Sequence, residues 1–500
     1  MIELNLCIEK IIYYAEKHLD LDELDALYLK NIIFNKLNIN EPTSLSFDKN
    51  EIDNLTIPDI LINELKESLL DNQFDNVDNL ITQIMGLVSP LPSIIKNKIY
   101  ELEKEQVGKG LDYLFNLQIQ NGYIKKTAIE KNIYFKKEFE NNFLEITINL
   151  SKPEKNNKDI AKLLSKPVSK KYPKCLLCEE NLGFGGNDNH PCRTDIRILP
   201  IKLNNQDWFL QYSPYAYFDH HSIIINKEHH PMVINHQTFK NLIEFVDKFP
   251  VFFIGSNADL PIVGGSILDH EHYQGGLHLL PMFYSHDKKV LIDNDIKVSI
   301  LDWYNSVIKI EGEDKNKVLD FANKIFDNWI KYENKELNII PFEEKRCSTV
   351  TPLARKVGNK YLMFLILRNN RTSEEYPDGI FHAHKEYHNI KQEGIGLIEA
   401  TGLFILPPRL KRQMQYIEEI LTSNDNLDIY YEKYPDLIIH KDMINDLLKM
   451  NSRNQTPENA KKIINDKLAE VCKNILFNTA VFKDDEKGNK AFEEFILSIK

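Results

Sequence analysis

Apolar residues recur at helical spacing from Ile60 to Leu70 and again from Ile94 to Gln106, within a stretch rich in Leu, Ile, Asn, Lys and acids. This predicts a mainly helical N-terminal region over residues 1–165. Inside it, L-E-I-T-I-N-L alternates as a strand does, and the Ser-Lys-Pro-Glu-Lys-Asn-Asn-Lys that follows reads as a solvated linker. A boundary is expected near 165. From 166 the pattern shortens to strand-length runs at Ile196–Leu203, Trp208–Tyr212, His221–Ile225, Val251–Gly255 and Gly276–Leu280, with a helical period over Gln237–Lys248. Residues 297–335 look helical again, and Y-L-M-F-L-I-L at Tyr361–Leu367 is the clearest buried strand. From Pro407 onward the chain reads as mostly helical and charged. The expected class is α+β, in four blocks: 1–165, 166–300, 301–415 and 416–500.

Five hundred residues exceed what one hydrophobic core usually supports, so two or three packed units are expected. A formal charge of -12 argues against general affinity for nucleic acid or anionic membranes and leaves a small anionic substrate open. No run approaches the roughly 18 apolar residues of a membrane span, and acids throughout the first thirty residues are unlike a signal peptide. A cytoplasmic protein is expected.

Thirteen of the fifteen histidines fall between His190 and His388, which marks the middle of the chain as its chemical part. The densest stretch, Gly255–Leu280, holds His270, His272 and His278 with Gln274 and two glycine pairs. On a strand His270 and His272 would share one face, and glycines at 264, 265, 275 and 276 would let backbone approach a bulky anion. Six cysteines are too few for a disulfide scaffold, but Cys175 and Cys178 form a C-x-x-C. Two such thiols plus two histidines make a tetrahedral zinc site, for which His229 and His270 are candidates and Cys192, His190 and His230 substitutes. A redox pair is the alternative, although the Lys-Tyr-Pro-Lys before it and the Asn/Gly-rich turn after it do not match a thioredoxin-like context. If His270 is committed to metal, His272 is the imidazole left to attack phosphorus. Gln274, Asn257, Ser266 and backbone N–H groups could donate to the phosphate oxygens, and Arg193 or Arg197 could add positive charge. A second H-x-H at His382 and His384 hints at a duplicated half-domain.

The run G-S-N-A-D-L-P-I-V-G-G-S-I-L-D-H-E-H-Y-Q-G-G resembles the signature of the bacterial, second-class galactose-1-phosphate uridylyltransferases (UDP-glucose:hexose-1-phosphate uridylyltransferases) of the histidine-triad superfamily. The likeness continues through C-L-L-C, N-H-P-C-R, W-F-L-Q-Y-S-P-Y, N-K-E-H-H-P-M and F-H-A-H-K-E-Y-H-N-I-K-Q-E-G-I-G-L-I-E, over roughly residues 170–410. The resemblance implies an antiparallel histidine-triad-like sheet core, duplicated, with helical extensions. It also implies ping-pong transfer of UMP from UDP-glucose to galactose 1-phosphate, in galactose metabolism, through a uridylyl group on His272. Gln274 would serve the phosphate, and Asn257, Ser266 and Arg193 would bind substrate. Cys175, Cys178, His229 and His270 would hold a structural zinc. His382 and His384 would match a second divalent metal site, such as iron, and Glu399 a sugar contact; a homodimer is implied as well. The chain departs from the better-described class of the family in placing Glu271 where that class has proline, and Ser266 one residue farther from the first histidine. The competing readings are another histidine-triad enzyme, a dinucleoside-polyphosphate phosphorylase or nucleotide hydrolase, and a zinc-stabilised sugar-nucleotide-binding protein without turnover.

Overall fold

The computed structural model describes residues 3–40, 46–151, 172–187, 190–265 and 267–499. The linker expected after Ser151 and the candidate Ser266 lie outside them. The chain divides into two compact units that interleave along the sequence: residues 1–130, 155–230 and 270–276 form the first, and residues 131–154, 231–269 and 277–500 the second. The short return of 270–276 to the first unit is not visible in periodicity, because seven residues are too few to show any.

In the first unit, the N-terminal periodicity becomes helices that include Leu4–His18, Asp59–Asp71, Val77–Val88, Pro92–Glu105 and Lys109–Gln120. Their apolar stripes are buried, as with Leu61, Leu65 and Leu69 on one face of Asp59–Asp71. The sheet of this unit is antiparallel, in the order Leu199–Leu203, Gln206–Tyr212, Ser222–Asn226, His272–Gly276. Its central strands carry successive buried residues from Trp208 to Tyr212, and Trp208 stacks on Tyr273 with ring centroids 4.7 Å apart. The strand expected at Gly276–Leu280 in fact runs from His272 to Gly276, where Gln274 pairs Ile223 and Gly275 pairs Ser222. Glycine content had drawn the expectation too late: Gly276 packs so tightly that a Cβ there would stand 2.6 Å from the Phe218 ring.

The second unit carries antiparallel strands in the order Phe253–Gly255, Ser348–Val357, Lys360–Asn369, Val307–Gly312, Lys297–Leu301, Asp287–Asp293. A smaller sheet pairs Ile133–Glu138 with Phe143–Ile148, and the latter runs parallel to Leu403–Leu406. Helices His236–Lys248 and Lys315–Trp329 and the C-terminal run Arg409–Leu497 bring their apolar faces into this unit's core. The helical reading of 297–335 is corrected: Lys297–Leu301 and Val307–Gly312 are strands, and only Lys315–Trp329 is helical. Both strands are too short to separate from helix by periodicity, and their β-branched residues (Val298, Ile300, Val307, Ile308, Ile310) were the usable signal.

Candidate active site

Cys175 and Cys178 sit in a tight turn, followed by the single-turn helix Glu179–Asn181. Asn181 holds that turn closed by donating from Nδ2 to the carbonyls of Cys175 (2.8 Å) and Cys178 (2.9 Å). The two Sγ atoms are 3.6 Å apart; Cys175 Sγ is 3.2 Å from His270 Nδ1, and Cys178 Sγ is 3.2 Å from His229 Nδ1. All four donor atoms lie within 4.8 Å of one another. Two thiols and two imidazoles at these separations fit one tetrahedral ion with ligand bonds of about 2.0–2.3 Å. Burial, with the neighbouring Cys178 adding to it, pushes the Cys175 thiol up to about 12, so a divalent cation is what would hold such a pair as thiolates. Cys192, His190 and His230 are not in this group: Cys192 contacts Thr194, the His190 backbone exchanges hydrogen bonds with Asn187, and His230 faces Asn226 and Glu271.

The surroundings of His270 fix its ring. Its Nε2 is 2.8 Å from the carbonyl oxygen of Asn226, which leaves Nδ1 toward the thiols. Asn226 in turn donates from Nδ2 to the buried Glu271 carboxylate at 2.8 Å, and the Tyr273 hydroxyl donates to the other oxygen at 3.2 Å. Glu271, the departure from the better-described class, therefore steadies the residue that orients His270. Burial raises its pKa, and the Asn226, His230 and Tyr273 contacts oppose that rise.

His272 opens the strand and is 6% exposed. Its Nδ1 is 2.8 Å from the carbonyl oxygen of His270, an acceptor, so Nδ1 carries the proton and the neutral ring's lone pair is on Nε2. Gln274, two residues on and half-buried, shares that strand face. Its Oε1 is 3.0 Å from Nε2 of the buried His221. Sequence reading missed His221 as a side chain of interest, since neither spacing nor motif singled it out from its neighbour His220.

The remaining candidates are placed as follows. The Arg193 guanidinium lies 5.8 Å from the centroid of the Tyr123 ring. Arg197 donates to the carbonyls of Pro90, Thr194, Ile196, Gly86 and Ser89, so it fastens helix ends and loop together and is not available to substrate. In the second unit, Asn257 Oδ1 accepts the Leu397 N–H at 2.8 Å. A Cβ on Gly396 would stand 2.9 Å from Asn257 Oδ1 and 3.6 Å from Glu399 Oε2, so these three converge. Glu399 is ion-paired with buried Lys391 at 3.1 Å. His382 is buried with neither ring nitrogen hydrogen-bonded, near the buried Arg368, and burial followed by that charge pushes it down to about 4. His384 Nε2 is 3.1 Å from the Ile380 carbonyl, and its ring stacks on Tyr376. Among the described residues these two histidines do not form a group with a third metal-ligating side chain. His278 pairs with Glu145 at 2.6 Å.

His272 and the half-buried Gln274 share one strand of an antiparallel sheet, two residues from a four-donor thiol–imidazole cluster, and are groups able to serve a transferase acting at phosphorus. Two family models match the chain: the galactose-1-phosphate uridyl transferase N-terminal domain over residues 20–231 and its C-terminal domain over residues 244–433. The chain is 40% identical to a galactose-1-phosphate uridylyltransferase of Caldanaerobacter subterraneus subsp. tengcongensis over 98% of this chain and 96% of that one. It is also 40% identical to one of Clostridium acetobutylicum over 98% of each. It belongs to the galactose-1-phosphate uridylyltransferase family and is an enzyme. The solved structure of yeast Ap4A phosphorylase Apa2 in complex with AMP overlaps 63% of this chain and 91% of that chain at 10% identity, with a TM-score of 0.35. No described helix is long and apolar enough to cross a membrane.

Proposed function

We propose that this enzyme moves UMP from UDP-glucose to galactose 1-phosphate in two displacements, with His272 as nucleophile. The observation that carries the reading is the 2.8 Å contact from His272 Nδ1 to the His270 carbonyl, because it puts the ring's lone pair on Nε2. Nε2 attacks the α-phosphorus of UDP-glucose, a nitrogen–phosphorus bond forms, and the bond to the bridging oxygen breaks, releasing glucose 1-phosphate. The positive charge that develops on the ring is stabilised by the Nδ1–H bond to the carbonyl. A phosphate oxygen of galactose 1-phosphate then attacks the same phosphorus and expels the imidazole, giving UDP-galactose and the original ring. Gln274, on the face of His272, donates to the oxygens of the transferring group. Asn257, Glu399, Arg193 and Ser266 are taken as substrate contacts, and the convergence of Asn257, Gly396 and Glu399 supports the first two.

We assign zinc to Cys175, Cys178, His229 and His270, where two thiols and two imidazoles close four positions and make its role structural. Were such an ion bound, its ligand His270 would be held in place and with it the carbonyl that sets the His272 tautomer. The second divalent metal implied for His382 and His384 is not part of the mechanism proposed, since they lack a third ligand among the described residues and His382 is near the Arg368 charge. The homodimer is carried over from the resemblance, the cytoplasmic location from the lack of an apolar span or signal-peptide pattern, and the duplicated half-domain from the second H-x-H at His382 and His384.

Incubating the protein with UDP-glucose alone should add one uridylyl group to the intact mass and release glucose 1-phosphate, with label exchanging between UDP-glucose and glucose 1-phosphate. Steady production of free UMP would instead assign a hydrolase, and no covalent mass at all would sink the ping-pong reading.

A further inference from the structure

We infer that His221 is a positioning residue that locks the Gln274 carboxamide with its NH2 group toward the transferring phosphoryl group; this rests on the reading above, in which Gln274 is the phosphate donor. The strand Ser222–Asn226 pairs antiparallel with His272–Gly276, with Ile223 opposite Gln274. His221 sits at the entrance to that strand, diagonal to Gln274, and the two side chains meet at 3.0 Å from Nε2 to Oε1.

A carboxamide by itself has no preferred end, since its oxygen and nitrogen differ little in shape. The end is decided by which nitrogen of His221 carries the proton. The Tyr217 backbone N–H points at His221 Nδ1, 3.4 Å away, so Nδ1 must accept. The ring is 3% exposed, against Phe218 (centroids 4.5 Å apart) and Tyr217 (5.3 Å). Burial holds it neutral, down to about 4. A neutral ring has one proton, and Nδ1 is already an acceptor, so the proton is on Nε2. Nε2–H therefore donates to Gln274 Oε1, and the amide's NH2 is the end left to the face shared with His272.

The opposite amide orientation would set NH2 against the Nε2–H, two donors facing each other, and would turn Oε1 toward an anionic phosphate. The locked orientation costs nothing to reorganise when substrate arrives, which is what makes a donor effective against developing charge. Without His221 the amide would divide between two orientations, one of them repulsive to the substrate.

A double-mutant cycle on the full-length enzyme tests this, reading the single-turnover rate at which UDP-glucose labels the protein. His221→Phe keeps a ring of similar size and removes the donor. It should slow labelling by about 10- to 100-fold, below the roughly 100- to 1000-fold for losing a preorganised donor outright, while UDP-glucose affinity changes by less than about threefold. Gln274→Ala should slow it comparably, and His221→Phe added to Gln274→Ala should cost less than about threefold more, because coupled residues are not additive. Equal losses from His221→Phe with and without Gln274 would overturn the inference, as would no loss at all. If Gln274→Ala itself labels at the normal rate, the assignment of Gln274 has failed and not merely the role of His221. Should His221→Phe not fold, nitrogen-15 NMR of histidine-labelled wild-type enzyme decides: a neutral Nε2–H tautomer at pH 7 is expected, and an Nδ1–H tautomer or a charged ring would refute it.

Discussion

The Nδ1 of His272 is 2.8 Å from the main-chain oxygen of His270, so this imidazole's tautomer is set by the peptide of a residue in the thiol–imidazole cluster. Asn226 accepts from His270 on the other side at 2.8 Å, and the strand that carries Asn226 hydrogen-bonds the strand that carries His272. Cluster, tautomer and strand register therefore act on one imidazole together.

His272→Ala should abolish the covalent uridylyl adduct and lower turnover by roughly a thousandfold or more, as expected when a covalent nucleophile is removed. Intact-mass analysis after incubation with UDP-glucose checks the first outcome and steady-state assay the second. An adduct that survives the substitution would move the nucleophile to another residue.

One zinc per chain is expected from metal analysis of the purified protein. Cys178→Ser should reduce that content to well under half and lower the melting temperature by about 4 °C or more, the shift that 1–2 kcal/mol gives in a domain of this size. Full metal content in the variant would show that Cys178 is not a ligand.

Arg197→Gln should destabilise the fold by about 3–5 kcal/mol, since a buried cation's bonds to five carbonyls are lost and those oxygens are left buried. Denaturant unfolding measures this. The labelling rate per folded molecule should hold, because this guanidinium is spent on the scaffold; a selective loss of rate would put Arg197 at the substrate.

His221, His382 and His440 are buried, and burial is the first cause that pushes each down to about 4. A histidine in the unfolded chain titrates near 6.5, so between that value and about 4 the unfolded state binds more protons than the folded one. Their contribution to stability is complete above about 6.5 and is lost as pH falls, by roughly 2 kcal/mol per ring at pH 5. The melting temperature should thus drop between pH 7 and pH 5. His440→Gln, which retains an amide for Gln413, should flatten that slope by one ring's share, and an unchanged slope would show that His440 titrates alike in the folded and unfolded chain.

Much of this protein was readable from residue order alone. Period and burial coincide in Asp59–Asp71 and His236–Lys248, because an amphipathic helix long enough to repeat its stripe announces itself. The motif around His270 and His272 carried the family, and C-x-x-C carried the thiol half of the metal group. Residue order pointed to His229 and His270 for the rest of that group but left His190 and His230 as substitutes, since Cys175 and His270 are 95 positions apart and meet only in the fold. It could not spend Arg197 on carbonyls or show Lys297–Leu301 as a strand, which five residues cannot declare. The proton on His272 and the orientation inferred for Gln274 rest on single contacts of 2.8 and 3.0 Å with a neighbouring peptide and with His221. Such contacts exist only once the chain has closed on itself: sequence supplies the chemical groups, and the fold decides which atom of each faces the reaction.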